Sequence, residues 1–221
     1  MIVPSMTVQE IHKEVFEDIK GLKNKLDACK KNFERLVLKS TRYPVMQSYA
    51  CTTLERKNKF TIYYTARKRS ERRTPILHII GVYSRPEGKY AVAPTLDMNL
   101  VSIYPPHFFK RYRERILKDD SISNEEIINL YFKNDWGFVG AVINEQYESI
   151  YHSFENSEAE DKVSFVAATS QGYCFGERQG TVNILKTIIS EDMLFDNQKA
   201  IFMKLKNEFN NMIKDMYGNI K

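Results

Sequence analysis

Three side chains suited to phosphate chemistry recur at four-residue intervals near the middle of the chain. His107, Arg111 and Arg115 lie in the segment YPPHFFKRYRERIL, residues 104–117. If this segment is helical, positions i, i+4 and i+8 share one side of the helix. We call these three residues the His/Arg stripe. A neutral imidazole can accept a hydroxyl proton, and two guanidinium groups can hold a phosphate and offset the charge of its transition state.

The segment that carries the stripe has the sequence signals of a helix. It opens on a Pro-Pro pair, and proline is tolerated in a first helical turn. Aromatic and aliphatic side chains recur on one face at helical spacing: Phe108, Phe109, Tyr112 and Ile116. A first-turn position near the positive end of the helix dipole is expected to lower the pKa of His107. The alternative is that the stripe is only the charged outer face of a helix, which also carries Lys110, Arg113 and Glu114.

A second candidate site is the basic run RKRSERR, residues 67–73, which follows Tyr63 and Tyr64. At a hairpin tip this run could contact a phosphate backbone, with the tyrosines as stacking platforms. The sequence therefore predicts a group of substrate-binding residues: Arg67, Lys68, Arg69, Arg72 and Arg73. The alternative is a solvated turn that protects a sheet edge from aggregation.

Two capping boxes and two long apolar periodicities predict the helices. Thr7 with Glu10 begins about 30 residues of helix, with a break expected near Gly21. Ser123 with Glu126 begins a short helix that ends near Lys133. Ser190 is expected to cap a final helix over about 196–217.

Runs rich in β-branched and aromatic residues predict two groups of strands. The first group precedes the His/Arg stripe: 46–55, 59–67, 75–84, 89–94 and 99–104. The second group follows it: 138–143, 148–154, 162–169, 172–178 and 181–190, with an acidic loop over 155–162.

This order of elements predicts the α+β class, with an antiparallel twisted sheet, packed helices, a long N-terminal helix and a C-terminal helix. We expect one domain over 1–221, since no Gly-, Ser- or Pro-rich linker divides the chain. Within it, 1–40 would form a helical arm, 45–195 the sheet-and-helix core and 196–221 the C-terminal helix.

Composition narrows the class of protein. The chain has 221 residues and a formal charge of +5, a mildly basic balance that allows nucleic-acid binding without requiring it. The cysteines, Cys29, Cys51 and Cys174, are odd in number and lack metal-ligand spacing, which argues against a disulfide framework and a zinc site. No secretory leader or membrane-spanning run is apparent. We therefore expect a cytoplasmic protein with no metal, no cofactor and no membrane partner.

The segment HFFKRYRERI followed by SISNEEIINLY resembles small bacterial domains of the barnase, colicin and RelE-type ribonuclease toxins. The resemblance covers about residues 99–195. It implies a helix packed on an antiparallel sheet, with His107, Arg111 and Arg115 as catalytic residues by motif. It also implies substrate-binding roles for Lys186, Thr187 and Ser190, by approximate position on a later strand. The chain departs from that family in its greater length, its preceding strands and its long N-terminal helix.

The sequence thus predicts an RNA-binding protein that acts as a metal-independent endoribonuclease of toxin type. A second hypothesis is a non-enzymatic interaction or assembly protein, of bacterial or phage origin and with a ribonuclease-like fold. It would contact a protein partner or an antitoxin through the N-terminal helix. A third hypothesis is nucleic-acid binding by residues 67–73 without catalysis. The sequence leaves open whether the chain is an enzyme, its substrate and its oligomeric state.

Overall fold

The fold is that of a computed structural model, which describes residues 1–143 and 162–217. The chain divides into two compact units, Met1–Ser102 and Ile103–Lys221. We call them unit 1 and unit 2. Each combines helices with antiparallel strands, so the predicted α+β class is confirmed. The predicted strand 148–154 and nearly all of the acidic loop lie outside the described residues.

Unit 1 begins with two consecutive helices, α1 (Val8–Gly21) and α2 (Lys23–Lys39). The Thr7 hydroxyl accepts a hydrogen bond from the Glu10 N–H, and the Glu10 carboxylate accepts one from the Thr7 N–H, at 3.3 and 2.7 Å. This capping box fixes the start of α1. The expected break of the N-terminal helix after Gly21 is confirmed.

An antiparallel meander of four strands follows in unit 1. The strands are β1 (Val45–Thr52), β2 (Lys59–Ala66), β3 (Ile76–Arg85) and β4 (Gly88–Thr95). Alternate side chains of β2, namely Ile62, Tyr64 and Ala66, are buried with Cys29, Phe33 and Val37 of α2. The apolar stripe of α2 is therefore used within unit 1. Strand β5 (Leu100–Tyr104) then leads into unit 2.

Unit 2 opens with helix α3 (Pro106–Tyr112), a π-helical turn (Arg113–Leu117) and helix α4 (Asn124–Lys133). The capping box of Ser123 and Glu126 that begins α4 is present, as predicted. Within the described residues, four strands follow: β6 (Phe138–Val142), β7 (Val163–Thr169), β8 (Tyr173–Gln179) and β9 (Val182–Ile189). They pair in chain order and antiparallel.

The C-terminal helix α5 (Asp196–Tyr217) packs on the strands of unit 2. Its buried residues Phe202, Leu205 and Phe209 meet Val166 and Phe175 of the sheet. Ser190 does not cap α5, contrary to the prediction. It precedes a short 3-10 helix, Glu191–Met193, and its side chain makes no capping hydrogen bond, because the chain does not enter α5 until Asp196.

Candidate functional site

Helix α3 is fixed by an aromatic cluster on its inner side. Phe108, Phe109 and Tyr112 are at most 4% exposed. Phe108 and Tyr112 each meet the ring of Tyr131 from α4 edge to face, with ring centroids 5.1 Å apart. Such pairs each contribute about 0.5–1.5 kcal/mol beyond their buried area. The predicted apolar face of the helix is thus its anchor, and the opposite side carries the polar residues.

His107 and Arg111 of the His/Arg stripe lie together on the outer side of α3. The Arg111 Nε donates to Nε2 of His107 at 3.4 Å, and its Nη1 donates to a carboxylate oxygen of Glu114 at 2.8 Å. His107 is exposed and Arg111 is half-buried. A guanidinium can only donate, so His107 presents its unprotonated nitrogen to Arg111. The pair is therefore a neutral base next to a fixed cation.

Arg115, the third residue of the stripe, turns away from that pair. Its Nη1 donates to the Thr187 hydroxyl at 3.0 Å and to the Ile188 carbonyl at 3.3 Å, both on β9. The cause is the π-helical turn, which adds a residue per turn and breaks the i, i+4, i+8 alignment after Tyr112. Single π turns occur often at functional sites. The expectation that all three side chains share one stripe is thus correct only for the first two.

The pKa of His107 is lowered, as predicted, although the main causes differ from the predicted one. Partial burial contributes most, followed by the positive charges of Arg111, Arg115 and Lys110, whereas Glu114 raises the pKa. The imidazole is therefore neutral at pH 7 and can accept a proton. The influence of Arg115 on this pKa also shows that its charge reaches His107, although its hydrogen bonds are made to β9.

The three residues predicted on the later strand lie in different surroundings. Thr187 is buried and binds Arg115, so β9 does meet the stripe at this residue. Lys186 instead donates to the buried Glu177 at 2.5 Å, near an irregularity in the pairing of β8 with β9. Ser190 is half-buried and follows the end of β9. Only Thr187 is placed by a direct contact to the predicted catalytic residues.

The basic run of residues 67–73 is a short 3-10 helix, Arg69–Arg73, and not a bare hairpin tip. Arg67 is half-buried and its guanidinium pairs with Glu71 at 2.5 Å, so the run holds one internal ion pair. Lys68, Arg69 and Arg73 are exposed and Arg72 is half-buried. Within residues 1–143 and 162–217, none of these four cations has a hydrogen-bond or ion-pair partner.

The proposed stacking role of Tyr64 is wrong. Tyr64 is 3% exposed, its hydroxyl donates to the Leu26 carbonyl and its ring stacks on Phe33. Tyr63 points to the opposite face of β2 and is half-buried. Strand alternation explains the difference, since Ile62, Tyr64 and Ala66 share the face that packs on α2.

The closest contacts of two carboxylates at these sites, Glu114 and Glu177, were not predicted from the sequence. Glu114 lies 3.9 Å from the Lys110 ammonium, but its closer contact, at 2.8 Å, is with Arg111, and this bond holds the pKa of Glu114 below its usual range. Glu177 is the second of these carboxylates. It is 2% exposed and lies between Lys186 and Lys162, with the latter ammonium at 3.5 Å. The i, i+3 spacing of Arg111 and Glu114 could have indicated the first contact.

Neither a metal site nor a membrane segment is found in the part of the chain that the structure describes. No group of three or more His, Cys, Asp or Glu side chains there could hold a metal ion. No helix there has the length and apolar character to cross a bilayer. Comparison with protein-family models, curated proteins and solved structures gave no match. The resemblance to ribonuclease toxins therefore stays a prediction.

Proposed function

We propose that the protein binds RNA and cleaves it without a metal ion, with His107 as the base and Arg111 as the phosphate ligand. The observation that carries this proposal is the contact of Arg111 with an imidazole nitrogen whose pKa is lowered. A neutral base and a guanidinium within 3.4 Å match the two demands of phosphodiester cleavage. They are a base for the 2′-hydroxyl and a cation for the phosphate.

The proposed reaction uses the ribose hydroxyl next to the scissile phosphate. His107 takes the proton of the 2′-hydroxyl, and the 2′ oxygen forms a bond to phosphorus. The bond from phosphorus to O5′ breaks, and the departing oxygen takes a proton from water. The hydroxide that remains takes the proton held by His107, which restores the neutral imidazole. The products are a 2′,3′-cyclic phosphate and a 5′-hydroxyl end. DNA lacks the 2′-hydroxyl and is not a substrate.

Glu114 sets a condition on this mechanism. Arg111 is bound to both His107 and Glu114 in the free protein. A bound phosphate competes with Glu114 for the guanidinium, and movement of Arg111 toward the phosphate uncovers the acceptor nitrogen of His107. Arg115, held by Thr187, stays in place as a nearby positive charge.

The test is cleavage of a fluorescently labelled RNA in EDTA by the protein and by His107→Ala, Arg111→Ala and Lys118→Ala. We expect His107→Ala to lose at least 100-fold in rate, since a positioned base contributes about 10²–10⁴-fold. Arg111→Ala should lose a comparable factor. Lys118 pairs with Asp192, is not among the charges that shift the pKa of His107, and serves as the matched surface control. Equal cleavage by the protein and His107→Ala, or ends without a cyclic phosphate, contradicts the proposal.

The structure leaves less exposed apolar surface on the N- and C-terminal helices for an assembly interface than the sequence indicated. Cys29, Phe33 and Val37 of α2 are buried on β2 within unit 1, and Phe202, Leu205 and Phe209 of α5 are buried in unit 2. The exposed apolar residues of these helices include Leu36, Leu38 and Met203. The RNA-cleavage test also distinguishes this alternative, an assembly protein. A protein that cleaves no RNA and forms an oligomer that is lost on deletion of residues 1–40 would favour it.

A further inference from the structure

The charges of the chain are divided unequally between its two units. Residues 1–102 contain 19 Lys and Arg against 10 Asp and Glu, a formal charge of +9. Residues 103–221 contain 14 against 18, a formal charge of −4. The overall charge of +5 therefore conceals a strongly basic half and an acidic half.

Much of the excess positive charge of unit 1 lies on two neighbouring elements. Helix α2 packs against the 3-10 helix Arg69–Arg73. The outer side of α2 carries Lys31, Arg35 and Lys39 at i, i+4 and i+8, all exposed. Successive members of that row are about 6 Å apart along the helix axis. The 3-10 segment adds Lys68, Arg69, Arg72 and Arg73.

The contacts of these seven cations leave them available to a ligand. Among the described residues, none of the seven forms a hydrogen bond or an ion pair. Some other exposed cations are paired with carboxylates, as Lys20 is with Glu17 and Lys199 with Asp196. The two contacting elements carry three carboxylates, Asp27, Glu34 and Glu71, and Glu71 is already paired with Arg67. The excess of cations is therefore repulsive, and a polyanion relieves that repulsion.

We propose that α2 and the 3-10 helix form a basic face that binds the phosphate backbone of RNA independently of sequence. The basic face consists of Lys31, Arg35, Lys39, Lys68, Arg69, Arg72 and Arg73. A row of regularly spaced cations suits a polymer with regularly spaced charges. The choice of RNA as the ligand rests on the proposed function, but the basic face gives affinity and takes no part in cleavage.

An anionic membrane surface is a poorer partner for this face. A helix that lies on a membrane inserts its apolar side into the lipid. The apolar side of α2, with Cys29, Phe33 and Val37, is buried on its own sheet and is not available. The large apolar side chains of α2 that are exposed are Leu36 and Leu38, at 37% and 42%, so the basic face offers many cations and only a small surface for insertion.

The experiment measures binding of a labelled 20-nucleotide RNA by fluorescence anisotropy in EDTA at 50–200 mM salt. His107→Ala is used as the parent if the wild type cleaves the probe. The test variant is R69A/R72A/R73A, and the matched control is K20A/K118A/K199A, which removes the same number of charges from paired positions. A third variant, K31A/R35A/K39A, tests the α2 row alone.

Each charge that neutralises a phosphate of single-stranded RNA adds about 0.7 to the slope of log affinity against log salt. We expect R69A/R72A/R73A and K31A/R35A/K39A each to reduce that slope by about 2 and to weaken binding at least tenfold. The control should change affinity less than twofold.

Equal losses in the test and control variants would show attraction by net charge alone and would overturn the inference. Tighter binding to phosphatidylserine vesicles than to RNA would also overturn it. Because binding is measured apart from cleavage, tight and variant-sensitive binding without cleavage leaves the basic face standing and refutes only the proposed catalysis.

Discussion

At the scale of single residues, charge and burial set the protonation states of the side chains that could do chemistry. His107 is exposed, yet three nearby cations and partial burial lower its pKa. Asp135 shows the opposite effect, because its carboxyl group points inward and burial raises its pKa to about 7. His107 faces solvent, where a substrate could reach it, whereas the Asp135 carboxyl does not.

The environment of His107 can be tested without any substrate. Arg111→Met removes the cation that contacts the imidazole and should raise the pKa of His107. Glu114→Gln removes the one nearby negative charge that favours the imidazolium, and should lower the pKa further. The measurement is an NMR titration of the four histidines. His78, on β3 of unit 1, serves as the internal control, and a pKa change of equal size at His78 would contradict this account.

Asp135→Asn should change how stability depends on pH. The Asp135 carboxylate accepts a hydrogen bond from the Gly137 N–H at 3.2 Å, which an Asn oxygen can also accept. The pKa of this carboxyl is about 7 in the folded protein, against 3.8 as the ordinary value. Between those values the folded protein keeps a proton that the unfolded chain has lost. The contribution of Asp135 to the free energy of unfolding therefore falls as pH rises from about 4 to 7 and is constant above that.

The asparagine side chain stays neutral throughout, so this slope should disappear in Asp135→Asn. The variant should gain stability relative to the wild type between pH 5 and pH 8, since a difference of one in pKa corresponds to about 1.4 kcal/mol. Urea unfolding at the two pH values measures the effect. Asp119→Asn removes the same charge from an exposed carboxylate and should show no such gain. If the free energies of unfolding of wild type and Asp135→Asn differ by the same amount at both pH values, the Asp135 carboxyl does not keep its proton in the folded protein.

At the scale of elements, two glycines illustrate how differently one residue type is used. Gly172, in the turn between β7 and β8, has a φ of +149°, and a Cβ there would lie 2.3 Å from the Ile189 carbonyl oxygen. Gly21 ends α1 in open space, where a Cβ would have no neighbour within 4 Å. The first position needs the absence of a side chain, and the second does not.

Substitution by alanine should therefore act in opposite directions at these glycines. Gly172→Ala should destabilise the protein by more than about 2 kcal/mol, because the backbone of β9 must move. Gly21→Ala should stabilise it by up to about 1 kcal/mol through helix propensity and lower chain entropy. Chemical denaturation measures both. Similar stabilities of the two variants would contradict the geometry of the β7–β8 turn.

Most elements could be predicted because their signals are local. The capping boxes at Thr7 and Ser123 and the alternation of β2 depend on neighbours in sequence, and the observed bounds match within a few residues. The start of α5 was not signalled in this way, and Ser190 was wrongly taken as its cap. A serine before an acidic turn is compatible with either a 3-10 turn or an α-helix.

The sequence predicted which residue types form the candidate site better than it predicted their relative positions. His107 and Arg111 were placed together correctly, because four residues of regular helix separate them. Arg115 was not, because a π-helical turn leaves no clear mark in a sequence. Tyr64 was misjudged although its alternation with Ile62 and Ala66 was visible, and the Arg67–Glu71 pair was visible in its i, i+4 spacing.

At the scale of the whole molecule, the segregation of charge is visible only when the chain is divided in two. The average composition indicates a mildly basic protein, but unit 1 and unit 2 have opposite signs. Average charge therefore underestimates the attraction that unit 1 exerts on a polyanion. The prediction of one domain over 1–221 is a separate matter, because two compact units can still unfold together.

The single tryptophan gives optical access to that question. Trp136 lies in unit 2, where it packs on the cluster that contains Phe175 and Phe202, whereas unit 1 contains tyrosines but no tryptophan. Tryptophan emission excited at a wavelength that spares tyrosine therefore reports on unit 2 alone, and far-ultraviolet circular dichroism reports on both units. If emission and circular dichroism change at the same denaturant concentration, the two units unfold as one cooperative unit. If emission changes earlier or later, the two units unfold separately. The native chain thus carries its own fluorophore for separating the two units, without a label or a substitution.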